Sequence, residues 1–258
     1  MKVYVFADLE GVAGVCQFFQ TREEGPPLDT ARELLTRECS ACVDGLVDAG
    51  VAEIYVKDSH GRPYNFVPEL MHPAARHIVG TGGNSRTVLS ECDAVILLGF
   101  HAMADTPDGV LCHTQSSRRG NKFWYNGRES GEIAQQALIA GHFDIPVIMV
   151  TGDDATCREA RDFLGEGPVT VSTKTGLSRE GAVMLAPALA RQRIRDGAKE
   201  AVARADECEP YKIDLPIKGR LWYPSKATAD WRPIHLGTRV DDFTFEATFE
   251  TALDILRF

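Results

Sequence analysis

Short apolar runs alternate along this chain with longer stretches of helical spacing. Residues 3–7, Val-Tyr-Val-Phe-Ala, combine β-branched and aromatic side chains without a polar break, the pattern of a buried strand. Gly25-Pro26-Pro27 and its polar neighbours make 17–27 a loop, after which Asp29 or Thr30 can cap a helix over 31–49 that stops at Gly50. A second strand is predicted at 52–57 and a third, strongly apolar, at 93–99. Segments 122–126, 145–151 and 169–173 read as further strands, the first exposed or at an edge and turning at Asn126-Gly127. Helices are expected over 132–140, with Ser130 as candidate cap, and in a long region running from 178 to 203.

Strands alternating with helices imply an α/β fold: three layers, α/β/α, around a central sheet that is mostly parallel or mixed. The pattern changes after residue 205. Glu209-Pro210 reads as a linker, so 1–205 is expected to be an α/β metal-binding catalytic domain and 206–258 a small C-terminal α+β unit.

Three strand exits carry chemistry: Asp8-Leu9-Glu10-Gly11, Asp58-Ser59-His60-Gly61 and Gly99-Phe100-His101-Ala102. In open α/β sheets, ligands bind in the crevice past the carboxyl ends of the strands. Positions i and i+2 of an extended segment face the same way, so Asp8 and Glu10 can aim into one pocket. Two crowded carboxylates repel, and divalent cations relieve that repulsion. Imidazole with carboxylate suits zinc, with cobalt or manganese as substitutes.

Composition narrows the picture. The chain has 258 residues, 44% of them hydrophobic, enough for a large core. Its net charge of −9 and the lack of a Lys/Arg-dense segment argue against a nucleic-acid partner. No apolar run approaches the roughly 18 residues of a membrane span, and the N-terminus lacks the pattern of a signal peptide, so a cytoplasmic location without a membrane partner is expected. Seven scattered cysteines are not a disulfide framework, and Cys39-Ser-Ala-Cys42, inside a predicted helix, reads as buried small apolar residues.

With the downstream His113 and Gly131-Glu132, these motifs resemble the zinc-dependent D-aminopeptidase family. The likeness continues at Gly152-Asp153-Asp154 and Lys174. It implies two zinc ions per subunit, with Asp8 bridging them and Glu10, His60, His101 and Glu132 completing their coordination. It also implies that His113 is the catalytic residue; whether as base, acid or oxyanion donor stays open. The implied reaction removes the N-terminal residue, D-configured and D-Ala-like, from a short peptide, and the implied assembly is a homo-oligomer, a decamer in the family. Cys112 beside His113 departs from the expected small hydroxyl residue, which bears on the substrate pocket. The ligand chemistry alone also fits a two-metal phosphoesterase or a non-catalytic metal-binding homologue.

The remaining features have plainer readings. Thr81-Gly82-Gly83-Asn84-Ser85 lacks the ending of a phosphate-binding loop and reads as a turn. Arg118-Arg119-Gly120-Asn121-Lys122 reads as a solvated loop, with an anion site as the alternative. His72, His77, His142 and His235 fit no ligand pattern. Asp153 and Asp154 are equally suited to orienting a metal ligand or capping a helix. Lys174 reads equally as a surface lysine or as one that contacts substrate or balances site charge.

Overall fold

The computed structural model describes residues 1–61, 64–80, 84–231 and 236–258. Residues 81–83 of the glycine-rich segment and His235 lie outside the described residues. In chain order the elements are β1 (Lys2–Ala7), α1 (Phe19–Arg22), α2 (Pro26–Asp48), β2 (Glu53–Asp58), β3 (Arg76–Ile78), α3 (Ser85–Leu89), β4 (Ala94–Leu98), β5 (Lys122–Tyr125) and β6 (Arg128–Glu129). There follow α4 (Glu132–Gly141), β7 (Val147–Asp153), α5 (Asp154–Leu164), β8 (Val169–Ser178), β9 (Gly181–Met184), α6 (Pro187–Ala203), β10 (Ile217–Trp222), α7 (Lys226–Asp230), β11 (Thr238–Arg239) and β12 (Thr244–Phe249).

The main sheet has the order β3-β2-β1-β4-β7-β8-β9 and is parallel except for β9. Its central strands are apolar throughout because both faces are covered. Val3, Val5 and Ala7 of β1 join a core with Leu35 and Leu46 of α2 and Ile194 of α6. Tyr4 and Phe6, pointing the other way, pack in a second core with Ile133 and Leu138 of α4 and with Leu221 and Phe245. The expected three layers are therefore present, and one outer layer is reinforced by a second sheet.

That second sheet, ordered β11-β12-β10-β5-β6, bears on the expected boundary at 205. Strand β10 pairs antiparallel with both β12 and β5, so Leu221 faces Phe245 on one side and Phe123 on the other. The segment 206–258 thus completes a sheet begun at Lys122, and a cut at 205 would leave β5 paired with the two-residue β6 alone. Tyr125, fully inside, ties the two further by a 3.3 Å hydrogen bond to the Ile255 carbonyl.

Several local expectations change. Helix α2 begins at Pro26, with Gly25 as its cap, because proline fits the first helical turn. Residues 178–184 form the β8–β9 hairpin rather than the start of the long helix, which begins at Pro187. Ser130 turns its hydroxyl to the Arg128 carbonyl, and Gly131 caps α4. Asn126 and Gly127 do form the predicted tight turn, both with positive φ. Cys39 and Cys42 are buried with their thiol pKa values raised by burial, as inert core thiols are. Among the described residues no helix is long and apolar enough to cross a membrane.

Candidate metal centre

Strand order places β1 between β2 and β4, so their carboxyl ends converge. Beyond those ends the chain is interlocked through backbone. Asp8 N–H donates to the Leu98 carbonyl at 2.8 Å, and Gly11 N–H to the Gly99 carbonyl at 2.7 Å. The Phe100 N–H then reaches the Thr151 carbonyl on β7. Side chains on three separate loops are thereby brought within contact of one another.

Two ligand trios result. The donor atoms of Asp8, Glu10 and His60 lie within 4.8 Å of one another, as do those of His101, His113 and Glu132. Asp8 faces both: its Oδ1 lies 3.2 Å from His60 Nδ1 and its Oδ2 3.6 Å from His101 Nε2. Glu10 Oε2 is 3.2 Å from the same His60 nitrogen, and Glu132 Oε1 is 3.4 Å from His101 Nε2. The structure thus brings together all six residues singled out from the sequence. His113, expected as catalytic, stacks on His101 with ring centroids 3.9 Å apart.

Each imidazole is anchored by one nitrogen and aims the other inward. His60 Nε2 lies 3.0 Å from the Thr21 carbonyl, His101 Nδ1 3.0 Å from that of Ala102, and His113 Nδ1 2.8 Å from that of Leu111. A carbonyl only accepts, so these nitrogens carry the proton in the neutral rings, and each inward nitrogen then presents a lone pair. Such backbone anchoring is the usual orientation device of metal-ligating histidines. His101 Nε2 is buried without a hydrogen-bond partner although two carboxylates stand before it. Three imidazole nitrogens and three carboxylates facing one space form a donor set that fits zinc.

The electrostatics agree. Burial and then the Glu10 charge push the Asp8 pKa up. Burial would raise Glu10 and Glu132 as well, but His60 and His101 respectively outweigh it and hold both below the ordinary value. Burial opposes protonation of His60 and His101, yet the facing carboxylates keep both well above the ordinary histidine range. The site therefore concentrates negative charge that demands cations, whether protons or metal. His113 differs: burial, then the His101 charge, lower it to about 4, so it is neutral at pH 7.

Further residues support the ligands, and of these Asn65 and Gln115 carried no sequence signal. Asp58 accepts from the backbone and side-chain nitrogens of Asn65 at 2.8 and 2.9 Å, which fixes the turn bearing His60. Gln115 donates its N–H to Glu132 Oε1 at 2.7 Å. Glu132 is the first residue of α4, where the helix dipole favours a carboxylate. Gly131 is required because a Cβ there would stand 2.4 Å from Glu159 Oε1. Asp153 caps α5, accepting from Thr156 N–H at 2.7 Å, and its other oxygen holds the Val110 N–H; Asp154 bonds Ser172 and Thr175. Neither aspartate touches a ligand side chain through those bonds. His72 bonds Asp44, and His142 bonds Thr251.

Lys174 is neither on the surface nor in the pocket. Its buried Nζ donates to the carbonyls of Glu10, Val12 and Val15 at 2.6, 3.0 and 2.5 Å. Burial lowers it to about 8, which leaves the three-donor ammonium form dominant at pH 7. Lys174→Met strands three buried carbonyls, so urea unfolding at pH 7 should register a loss of about 3 kcal/mol or more. A loss under about 1 kcal/mol would mean the loop holds itself.

Glu38 of α2 holds the same loop from the other side, accepting from Ala13 N–H at 2.9 Å. Burial raises its pKa to about 7, against an ordinary 4.5. The folded state therefore binds the proton more tightly than the unfolded state. That stabilisation is complete below pH 4.5 and is lost as pH rises to 7. Glu38→Gln keeps the acceptor without the charge, so it should gain on the parent across this window, by up to about 3 kcal/mol above pH 7. Denaturation midpoints at pH 4.5, 6 and 8 test this, and a constant difference would refute it.

A model of the D-aminopeptidase family matches residues 1–258. The D-aminopeptidase of Bacillus subtilis (strain 168) is 29% identical over 260 residues, spanning 99% of this chain and 93% of that protein. The solved Zn-dependent D-aminopeptidase DppA from Bacillus subtilis, described as a self-compartmentalizing protease, superposes with a TM-score of 0.89 at 26% identity, over 99% of this chain and 94% of that one. With this family match over its whole length, the chain belongs to the D-aminopeptidase family and is a metallo-aminopeptidase.

Proposed function

We propose that this chain is a two-zinc D-aminopeptidase that releases the N-terminal D-residue from short peptides. Asp8, which faces both trios, would be shared between the two ions, with Glu10 and His60 holding one and His101 and Glu132 the other. The observation that carries the reading is the inward-facing nitrogen of each backbone-anchored imidazole, above all the buried His101 Nε2 set between the carboxylates of Asp8 and Glu132. Zinc bound there polarises the scissile carbonyl and makes water acidic enough to be activated at neutral pH.

The chain's own groups do the rest. His113, neutral and fixed by the Leu111 carbonyl, presents Nε2 to the centre, where it can take a proton from the attacking water and return it to the leaving amine. A carboxylate beside the centre would hold the substrate's free amine, which confines cleavage to the first residue. D-selectivity is supported by the named relatives alone. The self-compartmentalizing character of the solved relative supports a closed homo-oligomer, expected as a decamer and testable by sedimentation.

Metal analysis with a panel of D- and L-aminoacyl amides tests the proposal. Zinc at two per chain with a D-preference is the expected result. Metal without hydrolysis of any peptide, or hydrolysis of p-nitrophenyl phosphate in its place, would overturn it. His113→Ala should retain both metals and lose roughly a hundred-fold or more in kcat. Loss of one metal in that variant would make His113 a ligand, as its place in the second trio allows.

A further inference from the structure

The basic run 118–122 has three different fates. Lys122 is paired with Asp105 and Glu129, and Arg119 lies over the Trp231 ring. Arg118, exposed, has no carboxylate partner among the described residues, and it lines the cavity whose floor is Asp8, Glu10 and Glu132. Arg22 lines the same cavity and is fastened beside it: its Nε and Nη2 donate to the hydroxyl and carbonyl of Ser117 at 2.9 and 2.5 Å. Its guanidinium lies flat on Phe18, 3.4 Å from the ring centroid. Guanidiniums from two elements, Arg22 of α1 and Arg118 of the 118–122 run, therefore stand at the wall of the pocket that holds Asp8, Glu10 and Glu132. Burial, then the charges of Arg118 and Arg179, lower the Arg22 pKa.

Resting on the aminopeptidase reading above, we propose that Arg118, backed by Arg22, binds the free C-terminal carboxylate of a short peptide whose first residue sits at the metal centre. The cavity, at about 380 Å³, is near the lower end of the roughly 300–1,000 Å³ of small-ligand sites, which suits a few residues rather than a long chain. A guanidinium matches a carboxylate in charge and in its paired donors.

The test compares a free acid with its carboxamide. Calorimetry on the zinc-loaded protein would use a reduced-amide analogue of D-Ala-Gly in both forms, and kinetics would use D-Ala-Gly and its amide. A charge-assisted bond is worth about 1.5–3 kcal/mol, so the parent should favour the acid by roughly ten-fold or more. Arg118→Gln should reduce that acid-over-amide ratio by a similar factor in both binding and kcat/KM, with an unchanged unfolding midpoint. An unchanged ratio overturns the proposal. Inhibition by inorganic phosphate that Arg118→Gln removes, without any acid preference in the parent, overturns it in favour of a phosphate site. If the parent hydrolyses neither peptide yet binds the acid analogue preferentially, the aminopeptidase reading falls and the carboxylate site stands. If it hydrolyses both alike, only the carboxylate site falls.

Discussion

Asp8→Asn is expected to lose zinc from both positions and to lower kcat about a thousand-fold or more, the scale seen when one member of a cooperating catalytic group is removed. Asp8 is the one side chain that faces both trios, with His60 Nδ1 at 3.2 Å from one oxygen and His101 Nε2 at 3.6 Å from the other. Asparagine keeps the volume and one acceptor, so the fold should be retained. It removes the charge, and an amide nitrogen at the second position turns a donor toward an inward lone pair. Glu10→Gln and Glu132→Gln each disturb one trio, so each should release one ion while the other stays. Elemental analysis per chain separates these outcomes. Full zinc occupancy in Asp8→Asn would exclude a bridging role.

Gly11→Ala should be the most damaging glycine substitution at the site, destabilising the protein by about 4 kcal/mol or more or preventing its folding. An added Cβ would sit 2.1 Å from the Phe100 carbonyl oxygen and 2.5 Å from the Gly99 carbonyl carbon, both backbone atoms that cannot step aside. Gly99 meets the same interface from the other strand, with φ +70 and a Cβ position 2.2 Å from the Asp8 carbonyl oxygen. Gly61, the glycine of the middle motif, provides the control. Among the described residues nothing lies within 4 Å of its added Cβ, so Gly61→Ala should shift stability by no more than about 0.5 kcal/mol. Denaturant midpoints for the two variants decide the matter; equal losses would show that the close approach of β1 and β4 exits is not what Gly11 serves.

The same contrast bears on how far the chain could be read in advance. Strands β1, β4 and β7 were legible as apolar runs buried on both faces, and β2 and β8 by the alternation of buried with partly exposed positions. The convergence of Asp8, Glu10, His60 and His101 followed from the rule that ligands gather beyond parallel strand ends. The β8–β9 hairpin was not legible. Residues 178–184 carry no strong alternation, and strand pairing there depends on a partner rather than on the segment itself. Lys174 gave no sign of its burial, since a lysine is usually exposed and only the folded loop offers it three carbonyls.

Local periodicity and motif chemistry in the amino-acid sequence determined the layered α/β class and the zinc-like set Asp8, Glu10, His60 and His101, and the family resemblance carried by the motifs added His113 and Glu132. Tertiary structure decided that 206–258 closes a sheet with β5, which glycine of each motif is indispensable, and which cation of the basic run faces the pocket. The physical reason is range. A side-chain pattern is set by neighbours three or four positions away, whereas a backbone contact such as Gly11 against Gly99, or a guanidinium without an acid, exists only once distant segments have met.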